Sequence, residues 1–284
     1  MKNNTLFRRL LIGATWAWMA LLALVPYLML VGASFFERGT DTLVRPGLTL
    51  SNYLHLLSPT VFTMAADSVA LAAVAALLCL LVGYPFAAIL AHAPARIQPL
   101  LLLLVMIPFW TNSLIRTYAL VMLLKADGVV NSLLLHAGLI AEPLRLMYTP
   151  VAVFIGLVYT LLPFMILPLY AALKTVDPQL LEAGRDLGAG RVRNFLHITV
   201  PLTMPGIIAG TMLVFLPALG MFYIADILGG ARTMLVGNYI RDQFLVFRDI
   251  PTGSAASVTM TVAMGLLLVL HHLARRRSGK EMLP

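Results

Sequence analysis

The sequence predicts an all-α, polytopic membrane protein with six transmembrane helices. Three observations carry this: 60% of the 284 residues are apolar, 11% are charged, and the mean hydropathy is +0.91. A soluble domain of this size carries roughly a quarter of its residues charged, so this chain could not solvate its own surface. A large soluble enzyme and a disordered scaffold are both excluded. The apolar residues gather into six runs, each reaching the roughly 20 residues that a helix needs to cross hydrocarbon.

The first run, Leu10–Phe36, follows Lys2, Arg8 and Arg9. These basic residues resemble the start of a signal peptide, and Val31-Gly-Ala33 offers a small-residue cleavage site. The apolar stretch is far longer than a signal core, so it reads as an uncleaved anchor. The second run, Val61–Ala91, would be roughly 46 Å long as a helix and must tilt or protrude. Gly83 and Pro85 are placed to bend it near one end. The single cysteine, Cys79, lies inside it and can form no internal disulfide. The remaining runs are Pro99–Leu124, Thr149–Leu173, Pro205–Ile227 and Ser254–Leu273. No internal repeat or linker interrupts them, so residues 1–284 read as a single membrane domain.

Basic residues set the orientation. With the N-terminus inside, twelve Lys and Arg fall in inner segments and seven in outer loops, with Arg116 alone inside a span. Both termini are therefore expected in the cytoplasm. The net charge of +8 then reflects topology and attraction to anionic membrane lipid, with no nucleic acid as partner. His271 and His272 fall at an inner helix end, where interfacial solvation accounts for them.

Catalytic signatures are missing. The sequence has no G-x-x-x-x-G-K-[ST] to cradle a nucleotide, no H-E-x-x-H, no Cys/His cluster and no Ser/His/Asp set. No catalytic residue, metal site or cofactor is expected in this chain. If the chain drives uphill transport, the energy must come from an ion gradient or from another polypeptide.

The inner loop after the fourth run, about residues 174–204, carries the clearest pattern. Asp177 before Pro178 predicts a helix start, with a cap followed by proline at the first helical position. Leu180, Ala183, Gly184 and Leu187 then share one apolar face with small residues at its centre. Gly188 is placed to turn the chain, because glycine tolerates positive φ. A second short helix is expected with Val192, Phe195, Leu196 and Thr199 on one face, stopped by Pro201. Physically, such a pair suits either docking into a partner's groove or lying on the lipid interface.

The residues Glu182-Ala-Gly184, Gly188, Ile198 and Pro201 resemble the EAA loop of ABC importer permeases, E-A-A-x-x-x-G-x(9)-I-x-L-P. Gly184 replaces the second alanine and Val200 the leucine, each keeping size or apolar class. Resemblance extends along nearly the whole chain to the polyamine importer branch of that family. It is carried by Pro108-Phe-Trp-Thr-Asn-Ser-Leu-Ile-Arg-Thr-Tyr118, Gly156-Leu-Val-Tyr-Thr-Leu-Leu-Pro-Phe164, Pro201-Leu-Thr-Met-Pro-Gly-Ile-Ile-Ala-Gly210 and Phe222-Tyr-Ile-Ala-Asp-Ile-Leu-Gly-Gly230. The resemblance implies a type I ABC importer permease fold in the bacterial inner membrane. It also implies a second, different permease subunit, an ATPase dimer that carries ATP and Mg, and a periplasmic substrate-binding protein. The coupling residues toward the ATPase would be Glu182, Ala183, Gly184, Asp186, Leu187 and Gly188.

A substrate path can be placed from helix rise. As continuous helices, Arg116 would lie about 26 Å from the inner start of span three and Asp226 roughly 32 Å from that of span five. Asp67 would lie about 9 Å from the outer start of span two. All three belong to the outer third of the membrane, where ionisable residues face a cavity or pair with one another. A vestibule for a cation and a structural bridge between Arg116 and Asp226 or Asp67 are both open. Span three would place Phe109, Asn112, Ser113 and Arg116 on one face. Span five would place Phe215, Leu219, Phe222 and Asp226 on another, with Tyr223 adjacent. Trp110 and Tyr159 would sit near mid-depth. Carboxylates answer the ammonium groups of a linear polyamine such as spermidine or putrescine, and aromatic faces answer both charge and methylene. Another small amine, and less directly an ion-coupled secondary transporter, are the alternatives. The outer segment Tyr239–Phe247 is amphipathic, offering Arg241, Asp242, Arg248 and Asp249 to a docking protein.

Overall fold

The structure is a computed structural model that describes residues 3–39, 44–230 and 234–280, with the side chains of 3–6, 46, 271, 272 and 274–280 left out. Lys2, Asp41 and Arg232 therefore lie outside the described residues, as do the side chains of His271, His272, Arg275, Arg276, Arg277 and Lys280. In chain order the helices are α1 (Asn3–Ser34), α2 (Ser51–Leu56), α3 (Pro59–His92), α4 (Gln98–Met106), α5 (Ser113–Leu124), α6 (Val129–His136), α7 (Pro150–Lys174), α8 (Pro178–Asp186), α9 (Arg191–Asn194), α10 (Val200–Gly220), α11 (Phe222–Gly229), α12 (Val236–Leu245) and α13 (Ile250–Lys280). A short antiparallel pair, β1 (Phe36–Glu37) and β2 (Arg45–Leu48), follows α1 with Phe36 opposite Leu48.

Among the described residues, six helical segments are long and apolar enough to cross a membrane: Phe7–Ser34, Pro59–His92, Ser113–His136, Pro150–Lys174, Arg191–Gly220 and Ile250–Leu270, with Gln98–Trp110 as a shorter apolar helix. Two of the expected spans are not continuous. The run Pro99–Leu124 breaks after a 3-10 turn over Ile107–Trp110, Thr111 is extended at ψ 147°, and α5 restarts at Ser113. Pro108 removes an N–H from the ladder, and Asn112 supplies a better start for a new helix than Thr-Asn-Ser supplies for the old one. The run Pro205–Ile227 breaks at Met221 (φ −82°, ψ 57°), after Pro217 has already removed one donor and Gly220 has loosened the last turn. Depths counted along straight helices to Arg116 and Asp226 do not hold across these breaks.

Pro201 does not stop the second helix of the loop. Residues Phe195–Thr199 form a π turn that joins α9 to α10, so Arg191–Gly220 runs on as one helical segment. A π turn widens the backbone by one residue, relieving the clash of the Pro201 ring with the preceding turn.

Contacts divide the chain into two compact units, Met1–Thr63 with Asn238–Pro284, and Met64–Gly237. In the first, α1 packs along α13, and α2 packs on α13. The outward surface of α1 is apolar, with Trp16 70% exposed, as a lipid-facing helix requires. Asn52 is buried and donates to the carbonyls of Ser34 and Phe36 at 2.8 and 2.9 Å, satisfying the end of α1.

The second unit is built on α7 and α10, with Leu157, Leu161, Met165 and Leu169 of α7 fully buried. A Cβ at Gly206 would stand 2.5 Å from the Ala172 side chain and 2.7 Å from the Pro168 carbonyl. Only glycine permits that approach, the usual device for packing helices where lipid supplies no hydrophobic drive. Gln98 is buried and donates to the carbonyls of Leu90, Ala91 and Ala93 at 2.9–3.2 Å, closing the end of α3. A buried hydrogen bond of 2.8 Å between Tyr84 and Thr203 ties α3 to α10. Such a bond between membrane helices contributes about 1 kcal/mol.

Candidate functional site

The breaks in the third and fifth runs bring together one cluster of candidate residues. Phe109, on the 3-10 turn, sets its ring edge-on to Phe164 of α7 at 5.0 Å between centroids. The Arg116 guanidinium lies over the Phe109 face, 5.7 Å from its centroid. Ser113, at the start of α5, shares a hydrogen bond with the Tyr223 hydroxyl at the start of α11. Tyr223 in turn meets Phe222 edge-on at 6.5 Å. Asp226 stands one turn along α11, half-buried, and its carbonyl accepts from Gly230 N–H, which closes the helix in the left-handed conformation.

The structure places the remaining candidates as follows. Arg116 pairs with neither Asp226 nor Asp67; its Nε and Nη1 are buried without a hydrogen-bond acceptor, and the Phe109 ring is its counterpart. Asn112 is engaged in the backbone: its side-chain oxygen accepts from Leu114 N–H at 2.8 Å and caps α5. Trp110 is 74% exposed and Tyr159 41% exposed, both outside the cluster. Asp67 is exposed on α3, and it is its neighbour Ser68, buried, that reaches across to accept from Val236 N–H at 2.9 Å. Neither Phe164, which closes one of the segments carrying the resemblance, nor Ser68 is singled out by sequence, since each reads as an ordinary residue of an apolar helix. Chemically, the cluster holds two hydroxyls, aromatic faces and one cation against Phe109, with Asp226 on the same short helix as Phe222 and Tyr223.

The loop 174–204 forms a second candidate surface. Asp177 accepts from Gln179 N–H at 2.9 Å and caps α8, with Pro178 at its first position. Gly188 has φ +81°; its N–H donates to Arg185 and that of Ala189 to Gly184, at 2.8 and 2.9 Å, closing the helix end. Of the expected apolar face only Gly184 is buried, while Leu180, Ala183 and Leu187 are exposed, Leu187 by 89%. Glu182 and Asp186 are exposed too. Val192, Phe195 and Leu196 continue the exposed apolar surface, and Thr199 is half-buried. Beneath α8 lies a 350 Å³ groove lined by Tyr84, His92, Leu173, Glu182, Arg185 and Phe195.

In the unit that holds α1 and α13, a 530 Å³ pocket is lined by residues including Glu37, Arg38, His55, Tyr239, Phe247 and Asp249. Arg38 binds Asp249 at 3.6 Å and donates to the Phe247 carbonyl at 2.9 Å, while Asp249 also accepts from Thr252 N–H. Arg241 pairs with Asp242 at 2.8 Å. The acids expected to stand ready for a docking protein are thus occupied within the chain. Burial raises the Tyr239 phenol above its ordinary value, with Asp249 adding to the rise.

Broken apolar helices around a small polar cluster, with an exposed helix pair between two of the spans, define a multi-pass helical membrane protein. Residues 83–282 match the binding-protein-dependent transport system inner membrane component family, and the chain belongs to that family. It is 48% identical over 281 residues to the spermidine/putrescine transport system permease protein PotB of Salmonella typhi, covering 99% of this chain and 98% of the relative. The PotB protein of Escherichia coli K12 is 50% identical over 264 residues, covering 93% and 96%. A bacterial alginate ABC transporter solved in complex with an alginate pentasaccharide-bound periplasmic protein has the same fold, with a TM-score of 0.75 at 18% identity over 97% of this chain and 96% of that one.

Proposed function

We propose that this chain is the permease subunit of an ATP-driven importer of polyamines, spermidine or putrescine, and forms half of the translocation path. The observation that carries this is near-full-length similarity to permeases named for that transport system. Its orientation follows the positive-inside count, with both termini and the loop 174–204 in the cytoplasm of the bacterial cell.

The chain works by two surfaces. The exposed α8, with Glu182, Ala183, Asp186 and Leu187 at its surface and Gly188 closing it, docks the ATPase dimer, which carries ATP and Mg. ATP-driven closure of that dimer then moves α8 and the helix foot beyond it. At the other surface Asp226 binds an ammonium group, while Phe222 and Tyr223 cover the methylenes and share the charge through cation–π contact. Ser113 holds Tyr223 in position. Arg116 sits on Phe109, whose negative ring face partly offsets its charge. Trp110, Asn112, Tyr159 and Asp67 belong to the wider wall, which a second, different permease subunit completes. A periplasmic substrate-binding protein delivers the amine.

Reconstitution tests the reading. The purified chain alone in proteoliposomes, under a proton gradient, a sodium gradient or none, is expected to accumulate no polyamine. Adding the partner permease, the ATPase, the binding protein and ATP restores uptake. Gradient-driven accumulation by the lone chain would overturn it and establish a secondary transporter.

A further inference from the structure

We infer that Asn194 is a positioning residue that locks the coupling helix α8 to the foot of the segment Arg191–Gly220, with Gly184 as its steric counterpart. This rests on the reading of α8 as the helix that receives motion from the ATPase. Asn194 is 5% exposed although it stands in a short helix of otherwise exposed residues. Its Nδ2 donates to the carbonyl of Leu181, in the middle of α8, at 2.9 Å. Its Oδ1 is buried with no hydrogen-bond partner, and it faces Gly184: a Cβ there would stand 2.5 Å from Oδ1 and 2.8 Å from the Ile198 side chain. Alanine, the residue of the EAA pattern at this position, does not fit unless Asn194 or Ile198 moves. Glycine at 184 and asparagine at 194 are therefore one steric pair.

Leu180, Glu182, Ala183, Arg185 and Asp186 of α8, and Leu187 just past its end, are all exposed, so little else fixes the helix in place. Its packing partners are α9 and the π turn that follows. A push on α8 is delivered at Asn194, immediately before the π turn Phe195–Thr199 that leads into α10. Without that lock α8 would yield under the push and α10 would stay still.

The test is a double-mutant cycle in the complete transporter, with Gly184→Ala, Asn194→Ala and the pair, measuring polyamine moved and ATP hydrolysed. Asn194→Ala is expected to keep ATP hydrolysis while polyamine moved per ATP falls about fivefold or more. Gly184→Ala lowers that ratio in the parent chain and adds nothing in the Asn194→Ala background. A parallel loss of hydrolysis and uptake at constant ratio, or additive effects of the two substitutions, would overturn the inference. Amide hydrogen exchange over residues 182–187 of the purified chain gives a readout that needs no substrate. It should quicken in Asn194→Ala and, should that variant fail to insert, in Asn194→Ser; unchanged exchange overturns the lock. A parent transporter that hydrolyses ATP but moves no polyamine would sink the substrate reading, and the exchange cycle would still decide the lock.

Discussion

The loop that holds α8 and the cluster around Ser113 and Tyr223 are built by opposite rules. In the loop, the features that start and end α8 lie within a few residues of their partners: Asp177 caps at Gln179, Gly188 closes on Arg185, Ala189 on Gly184. Its charged and apolar side chains face outward. In the cluster, the partners are distant in sequence: Ser113 meets Tyr223, 110 residues away, and Phe109 meets Phe164. Its polar groups are half-buried, and one of them, Arg116, has buried nitrogens with no acceptor. A docking surface can be made by local backbone chemistry and left open. A path through a membrane needs polar groups held in apolar surroundings, and only contacts from several helices can hold them there.

Breaking the local side of this comparison gives the largest effect. Gly188→Val forces a β-branched residue to φ +81°, costing on the order of 1–3 kcal/mol at the helix end. Uptake is expected to be abolished at equal membrane abundance, with the ATPase no longer co-purifying at the parent level. Wild-type uptake by this variant would show that the loop does not couple.

Next comes the charge in the cluster. Asp226→Asn keeps size and removes the carboxylate, and the KM for polyamine is expected to rise on the order of tenfold, about 1.4 kcal/mol. Co-purification of the ATPase should be unchanged, which separates the two regions. Unaltered uptake kinetics would remove Asp226 from the path.

A smaller effect sharpens the long-range side. Tyr223→Phe and Ser113→Ala each delete one end of a single hydrogen bond worth about 1 kcal/mol. Each should raise KM a few-fold, and the double variant should be no worse than either alone. Additive losses would mean that the two hydroxyls act separately.

The smallest effect is expected at Asn112, whose replacement by alanine removes the cap of α5 at a cost of about 1 kcal/mol. Detergent-solubilised protein should melt lower, with uptake per folded molecule unchanged. A change in KM with no change in melting would show that Asn112 contacts the substrate directly as well as capping α5.

Much of the molecule is legible in the chain itself. Apolar run length announces the membrane class, because hydrocarbon thickness sets a minimum that few other structures require. Asp177-Pro178 and Gly188 announce α8 and its end, because capping and positive φ are properties of single residues and their nearest neighbours. The family pattern around Glu182 and Gly188 marks the surface proposed for coupling for the same reason.

What only the tertiary structure decided lies where two local preferences compete or where distant residues meet. Thr111 and Met221 each sit in an apolar run that periodicity reads as unbroken, and the helices break there because a missing proline donor coincides with a new cap or a glycine. Pro201 reads as a stop, yet a π turn lets the helix pass it. Arg116 reads as part of either an ion pair or a vestibule, and only the structure shows it resting on Phe109. Gly184 reads as a mild replacement for alanine, and only the buried side chain of Asn194 shows why alanine would not fit. Hydrophobic length and capping are sums over neighbours in sequence and can be read from it. Steric fit and the partner of a buried charge are properties of atoms that meet only after the helices have packed.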